Sequence, residues 1–448
     1  MQYDIIIIGS GPAGYVSAIR AGQLGMKVAI VEKEAVGGMC LNWGCIPSKS
    51  MIESAKLYQK ILKDALKFGI EGIDKKQLSF NYKKASQRAN SIVKRLTKGV
   101  EFLLNKNKVE IVIGEAKIVN GNAVSVNNRL LETKNIMIST GAKFEHLHKS
   151  LKKEVSVKEF FELSEMPDNV LVFGYDAPSI EITQMLSMID KNVTLLVPDE
   201  KIMPMADDFL VDYMNKILIK NKVKIHTNID FSNLDINEES VKIGEEEIPY
   251  DLIVNLGKRQ AVVPKSDIKI ELENSFIKTD DNLRTNISSI FAVGDVNGKS
   301  RFAHIASAEG LFVINSLNGV KAELEFEKYP LNMYTVPEMA QIGKTEQKLK
   351  KEGIDYKISE FSLAANGKAL AEGNNEGVIR ILSENKYGEV LGVQIVAEHA
   401  TDLISEASAF LQLESTVYDV AKTVHAHPTI SEAFMEAGFE GVDFAIHK

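Results

Sequence analysis

Short apolar runs rich in β-branched residues alternate with stretches of helical period through the first three quarters of the chain. Ile5–Ile8, Val28–Val31, Val170–Phe173, Val193–Val197, Leu252–Leu256 and Ile290–Val293 are apolar at nearly every position, the pattern of strands covered on both faces. Such strands, separated by helix-length segments, predict a parallel sheet with crossover helices. The strand, turn, helix, strand plan of Ile5 to Val31 recurs from Val170 to Val197, 165 positions on, so two nucleotide-binding-type domains are expected rather than one. Between Lys321 and Pro337 the texture changes. Beyond it, Gly377–Leu382 and Val390–Val396 read as strands followed by long helical patterns, predicting a separate α+β domain.

Length agrees with this plan, since 448 residues at roughly 150 per domain make about three folded units. Composition narrows the function. No apolar run reaches the roughly 18 residues that span a bilayer, so no membrane association is expected. The excess of 61 acidic over 53 basic residues, a net charge of -8, gives no overall attraction to a phosphate backbone, and nucleic acid is not an expected partner. The Met-Gln-Tyr-Asp start lacks a basic segment followed by an apolar one and a cleavage site, from which a cytoplasmic location is expected. In a reducing compartment the two cysteines, Cys40 and Cys45, read as a redox or metal pair rather than a structural staple.

Gly9-Ser10-Gly11-Pro12-Ala13-Gly14 follows a buried strand and opens a helix, and Glu32 ends the next strand 18 residues after Gly14. That is the dinucleotide fingerprint in its full context. Gly9 permits the turn, Gly11 lets backbone approach a pyrophosphate, Gly14 lets helix and strand pack, and Glu32 can bond a ribose hydroxyl, with the helix N-terminus favouring the phosphates. The loop alone does not distinguish FAD from NAD.

Gly37-Gly38-Met39-Cys40-Leu41-Asn42-Trp43-Gly44-Cys45-Ile46-Pro47-Ser48-Lys49 places the cysteines five positions apart just beyond this fold. Here the chain resembles the pyridine nucleotide-disulfide oxidoreductases, and the Leu-Asn and Ile-Pro-Ser-Lys wording is most similar to the dihydrolipoyl dehydrogenase branch. A helix starting near Cys45 favours its thiolate, while no third cysteine or nearby histidine completes a tetrahedral metal site, so no metal is expected. The resemblance implies a glutathione reductase-like α/β fold: two Rossmann-like domains, an FAD-binding one at 1–145 and 265–327 and an NAD-binding-like one at 146–264, plus a C-terminal dimerisation domain at 328–448. It implies Cys40 as the interchange thiol, Cys45 as the thiolate facing the flavin, and Lys49 near the flavin N5, paired with Glu181. Gly114, Ala116, Thr140, Gly141, Asp295 and Ala303 match the remaining FAD contacts.

His425-Ala426-His427-Pro428-Thr429-Ile430-Ser431-Glu432 matches the family's closing motif. Disulfide exchange needs a base for the substrate thiol, and histidine titrates near working pH. His427 is the expected base, oriented by Glu432, and His425 is read as structural. The resemblance places this base in the partner subunit's site and so implies a homodimer.

The second glycine loop is degraded. In Gly174-Tyr175-Asp176-Ala177-Pro178-Ser179-Ile180-Glu181 only the first glycine is kept. Asp176 stands where backbone should meet the NAD pyrophosphate, Ser179 replaces the packing glycine, and Ala177 replaces the family's flavin-covering aromatic residue. Val197 ends the strand where a ribose-binding acid belongs, and the wording after Gly257 also departs. A carboxylate about 4 Å from a phosphate charge costs roughly 4 kcal/mol at a dielectric of 20, and a lost ribose hydrogen bond about 1 kcal/mol more, together about three decades of affinity. Asp176 before Pro178 also reads as a helix start that caps itself. Two readings stand: the protein's own carboxylate fills the anion site, or Asp176 turns to solvent and NAD binds by other contacts.

The expected activity is FAD-dependent oxidation of protein-bound dihydrolipoyl groups through a Cys40–Cys45 disulfide, with NAD as acceptor. A runner-up keeps the dithiol chemistry and replaces NAD by a small redox protein. A third reading, a noncatalytic FAD-bound scaffold, is opposed by the intact cysteines and base.

Overall fold

The Ile5–Ile8 run becomes the centre of a parallel layer. A computed structural model describes residues 2–147 and 151–447, which fall into two units, one of Met1–Ser54, Asn81–Met166 and Gly257–Leu324, the other of Ala55–Phe80, Pro167–Leu256 and Glu325–Lys448. In the first, β1 (Tyr3–Ile8) leads through α1 (Pro12–Gln23) to β2 (Val28–Glu32). β1 pairs in parallel with β2 on one side and Arg129–Ile138 on the other, with Glu110–Ile113 beyond β2 and Ile290–Ala292 beyond Arg129–Ile138. The continuous apolar run is needed because both faces are covered. Ile5 and Ile7 join a core with Ala13, Ala18 and Ala21 of α1 and Val313 of the helix Ala303–Leu317, while Ile6 and Ile8 join one with Ile118, Val124 and Val126. Each fully buried isoleucine contributes about 2 kcal/mol.

α1 begins with Pro12 in its first turn, where a missing N–H costs nothing, and Gly25 at φ +79° follows its end, as a left-handed C-terminal stop requires. Beyond β2, the short α2 (Gly38–Asn42) and the long α3 (Cys45–Asp64) carry one cysteine each.

The second unit repeats the plan. β3 (Asn169–Gly174), α4 (Ala177–Met188) and β4 (Asn192–Leu196) follow in order, and β3 pairs in parallel with β4 and Leu252–Leu256, with Lys224–His226 beyond β4. The same unit holds an antiparallel sheet in the order Leu331–Met333, Glu338–Gly343, Val390–Ala397, Val378–Glu384, Tyr356–Ser362. Ile404, Leu411, Val420 and Phe434 from the C-terminal helices pack on it. Polar groups tie these parts of the unit together: the Asp207 N–H donates to Gln341 Oε1 (2.8 Å), Asp207 Oδ2 accepts from the Glu346 N–H (2.6 Å), and Arg380 lies 3.6 Å from Asp207. Among the described residues no helix is long and apolar enough to cross a membrane.

Candidate active site

In the first unit the singled-out residues gather along the carboxyl ends of the parallel strands, where open α/β sheets bind ligands. Gly9 follows β1, Glu32 closes β2, Gly114 follows Glu110–Ile113, Thr140 and Gly141 follow Arg129–Ile138, and Asp295 follows Ile290–Ala292. Ala303 opens the helix to Leu317, and Ala116 is buried at the start of Ala116–Asn120. Backbone bonds align this edge: Gly9 N–H to Val31 O, Gly114 N–H to Glu32 O, and Ser139 N–H to Ile8 O, each 2.8 Å. Gly14 is required by close approach, since a Cβ there would lie 2.0 Å from Gly9 O. At Gly11 the reverse holds: its φ is −63° and an added Cβ would meet nothing within 4 Å. The room beside Gly11 is therefore not filled by the chain, and it lies where α1 presents its first amides. These features fit an FAD pyrophosphate. Glu32 is buried, with Oε2 accepting from the Ser10 N–H (3.0 Å) and hydroxyl (2.7 Å) and Oε1 from the Glu34 N–H (2.8 Å), leaving further lone pairs on the carboxylate.

The cysteine segment is fastened onto this loop. Gly37 N–H donates to Ser10 O (3.1 Å), and Gly38 lies so close that its Cβ would meet Gly11 Cα at 2.7 Å. Asn42 Nδ2 donates to the Val36 and Gly38 carbonyls, both 3.0 Å, holding the turn that carries Cys40. The sulfurs of Cys40 and Cys45 are 2.7 Å apart and both residues are half-buried. Cys45 starts α3, and Lys49 sits one turn further on. The hydrogen bond to the Cys45 sulfur, together with burial, pushes the Cys40 thiol up against the opposing pull of Lys49. This favours the protonated form at Cys40, while Cys45 stands at the positive end of a helix.

Asp295 lies 3.1 Å from Arg259, whose guanidinium stacks over Phe144 at 4.6 Å. Burial raises the Asp295 carboxyl while Arg259 and Arg301 oppose that. Glu309, which is not among the residues the sequence points to, holds this turn. It has no exposed surface, and its Oε2 accepts from the Gly294 N–H (2.6 Å) and Asn297 Nδ2 (2.9 Å). Its only sequence signal is a lone acid on an otherwise apolar stretch of helix. Burial pushes its pKa up to about 7, with the Asp295 charge adding and Lys299 opposing. The folded state thus holds a proton that the unfolded chain releases near pH 4.5. This group's contribution is fully present below about pH 4.5 and is lost as pH rises through about 7, on the order of 3 kcal/mol in all. Denaturant titrations between pH 5 and 8 are expected to show a smaller fall in stability for Glu309→Gln than for the parent; parallel curves would remove Glu309 as the cause.

In the second unit, Gly174 and Asp176 head α4, but the expected self-cap is not formed. Asp176 is the N-cap residue, with no capping bond from its side chain. The reason is local: Pro178 has no N–H, and the Ser179 N–H already donates to Asp176 O (3.1 Å), so neither amide that an N-cap side chain normally engages is available. Glu181 is buried on α4 and accepts from the Tyr334 N–H (3.0 Å). Val197 is fully buried after β4; Gly257, which follows Leu252–Leu256 in the chain, belongs to the first unit.

Elsewhere in that unit, His427 Nδ1 lies 2.9 Å from Glu432 Oε1, and Glu432 Oε2 accepts from the Thr429 N–H (2.8 Å). Partial burial works against the Glu432 charge, but the Thr429 amide and His427 outweigh it and hold the carboxyl below its ordinary range. The His427 side chain is 79% exposed. His425 is buried against Glu406 at 2.5 Å, and that carboxylate raises its pKa. Among the described residues no three His, Cys, Asp or Glu side chains group to hold a metal.

The family model for pyridine nucleotide-disulphide oxidoreductases matches residues 3–310, and that for their dimerisation domain matches 329–438. Dihydrolipoyl dehydrogenase of Bacillus subtilis is 32% identical over 475 residues, covering 100% of this chain and 99% of that protein. Of solved structures, LpdA from Mycobacterium tuberculosis superposes with a TM-score of 0.88 at 18% identity, over 98% of this chain and 99% of that one. The HOCl-induced flavoprotein disulfide reductase RclA from Escherichia coli does so with 0.84 at 22%, over 96% and 98%. The fold is thus glutathione reductase-like, and the chain belongs to the pyridine nucleotide-disulphide oxidoreductase family as an FAD-dependent disulfide oxidoreductase of the dihydrolipoyl dehydrogenase kind.

Proposed function

We propose that this protein oxidises dihydrolipoyl groups carried by a lipoylated protein, using the Cys40–Cys45 pair of one subunit and the His427–Glu432 pair of the other. The observation that carries this reading is the contact of two sulfurs at 2.7 Å, beside a dinucleotide loop, with one of them at the head of a helix. Full-length likeness to dihydrolipoyl dehydrogenases supports the choice of dithiol. His427 is left open to solvent by its own chain, and Val424 beside it is 91% exposed, as a surface covered by a second copy would be.

A deprotonated substrate thiol attacks the Cys40 sulfur of the disulfide, and Cys45 leaves as a thiolate. His427 takes the first thiol's proton, and Glu432 stabilises the imidazolium. The second substrate thiol attacks its own sulfur in the mixed disulfide, closing the substrate disulfide, and its proton passes to the departing Cys40. The result is a Cys40 thiol, a Cys45 thiolate and a protonated His427, with two electrons moved from substrate to protein. Gly9, Gly11, Gly14, Glu32, Gly114, Ala116, Thr140, Gly141, Asp295 and Ala303 would hold FAD, with Lys49 and Glu181 supporting it. Bound FAD supplies a two-electron acceptor for the reduced pair.

Anaerobic mixing of the FAD-loaded protein with dihydrolipoamide is expected to bleach the flavin absorbance within seconds, while reduced glutathione at equal thiol concentration leaves it unchanged. Equal bleaching by both would exclude a lipoyl-directed site.

A further inference from the structure

We infer that the second nucleotide-binding fold of this chain does not take a nicotinamide dinucleotide, and that Asp176, Pro178 and Val197 are the residues that exclude it. This deepens the proposed function and rests on it for the dithiol half alone. The chain's two glycine loops share one backbone plan. Gly9 directly after its strand and Gly174 at the end of its own both have positive φ, 101° and 151°, and after both a helix begins three residues later.

The chemistry at matching positions differs. Two residues after Gly9, Gly11 leaves open room at the helix head. Two residues after Gly174, a half-buried Asp176 puts a carboxylate there. In the first loop the proline opens the helix, where it removes no useful amide. In the second, Pro178 comes one residue later and deletes an N–H that a phosphate would receive. The next amide, Ser179 N–H, donates inward to Asp176 O (3.1 Å), and the Ser179 hydroxyl donates to the same carbonyl (2.7 Å). The strand ends differ in the same sense. Glu32 has a carboxylate that would accept from a ribose hydroxyl, whereas Val197 is fully buried, with its N–H donating to His226 O (2.8 Å) and its carbonyl accepting from Ile229 N–H (3.0 Å). No cation compensates on the following loop: Lys201 is paired with Asp208, and Asp199 and Glu200 are exposed acids. The Asp176 charge and the missing ribose acceptor together weaken binding of a pyrophosphate dinucleotide by more than about a thousand-fold, before the lost amide is counted.

The test uses full-length, FAD-loaded protein titrated with NADH and with NADPH, read by nicotinamide fluorescence and by calorimetry. No saturable binding is expected up to about millimolar concentration. The variant Asp176→Gly/Pro178→Ile/Val197→Glu is expected to bind NADH at least about a thousand-fold more tightly, in the micromolar range. Asp176→Asn, nearly isosteric, isolates the charge and is expected to recover part of that gain. A parent dissociation constant below about 100 μM overturns the inference. A triple variant that melts like the parent and still shows no binding overturns the assignment to these residues. Dihydrolipoamide bleaching of the same samples reports on the dithiol reading separately: its failure counts against that reading, while the nicotinamide titration still decides this one.

Discussion

Cys45→Ser is expected to abolish dithiol turnover, with dihydrolipoamide reducing the flavin at least about a thousand-fold more slowly than in the parent protein. The substitution is nearly isosteric and keeps the helix start, so FAD content and thermal stability should change little. What it removes is the second sulfur. Cys40 then has no partner 2.7 Å away with which to form a disulfide, and an attacking thiolate finds no S–S bond to break. Cys40→Ser should be equally inactive with dithiol, but it leaves Cys45 at the positive end of α3 without the hydrogen bond they share. Alkylation of the single thiol should therefore be faster at neutral pH in Cys40→Ser than in Cys45→Ser, because the helix terminus favours the Cys45 thiolate. A Cys45→Ser protein reduced by dihydrolipoamide at the parent rate would eliminate the exchange mechanism.

His427→Gln is expected to lower turnover by about two to four orders of magnitude. Glutamine can still bond Glu432 but takes no proton. The deficit should shrink as pH rises toward the substrate thiol's own ionisation, where no base is needed. Glu432→Gln is expected to cost about ten-fold, the scale of one charge-assisted hydrogen bond. Because Glu432 is held below its ordinary range by Thr429 and His427, its carboxylate is charged throughout the working range, and its support for the fold is lost only as pH falls through that depressed value. Steady-state rates from pH 6 to 10 check both variants. A His427→Gln deficit independent of pH would point to misplacement of substrate rather than loss of a base.

Much of this protein is legible in its residues alone. Unbroken apolar runs such as Ile5–Ile8 and Val170–Phe173, spaced by helix-length segments, announce parallel strands covered on both faces. The glycine loop at Gly9, the cysteines at Cys40 and Cys45, and the His427–Glu432 spacing are local signals, complete within about two dozen residues. The roles of these residues are what the resemblance to the disulfide oxidoreductases implies, and the motifs that carry that resemblance lie in the chain itself.

What stays open at the level of sequence depends on neighbours distant in the chain or on which amide faces which oxygen. Asp176 before Pro178 reads as a self-capped helix, yet the fold commits the Ser179 amide to the Asp176 carbonyl and leaves the side chain without a capping role. Glu309 looks like one more helical acid until folding buries it beneath Gly294, and only then is its pKa raised toward neutrality. Lys201 could have compensated for Val197, but Asp208 claims it across a loop. Residue identity determined the close cysteine pair, the dinucleotide loop and the layered fold, because covalent spacing and apolar period are properties of the chain. Tertiary structure alone decided the protonation of buried acids and the partners of individual amides, because desolvation and hydrogen-bond geometry exist only once distant segments are packed together.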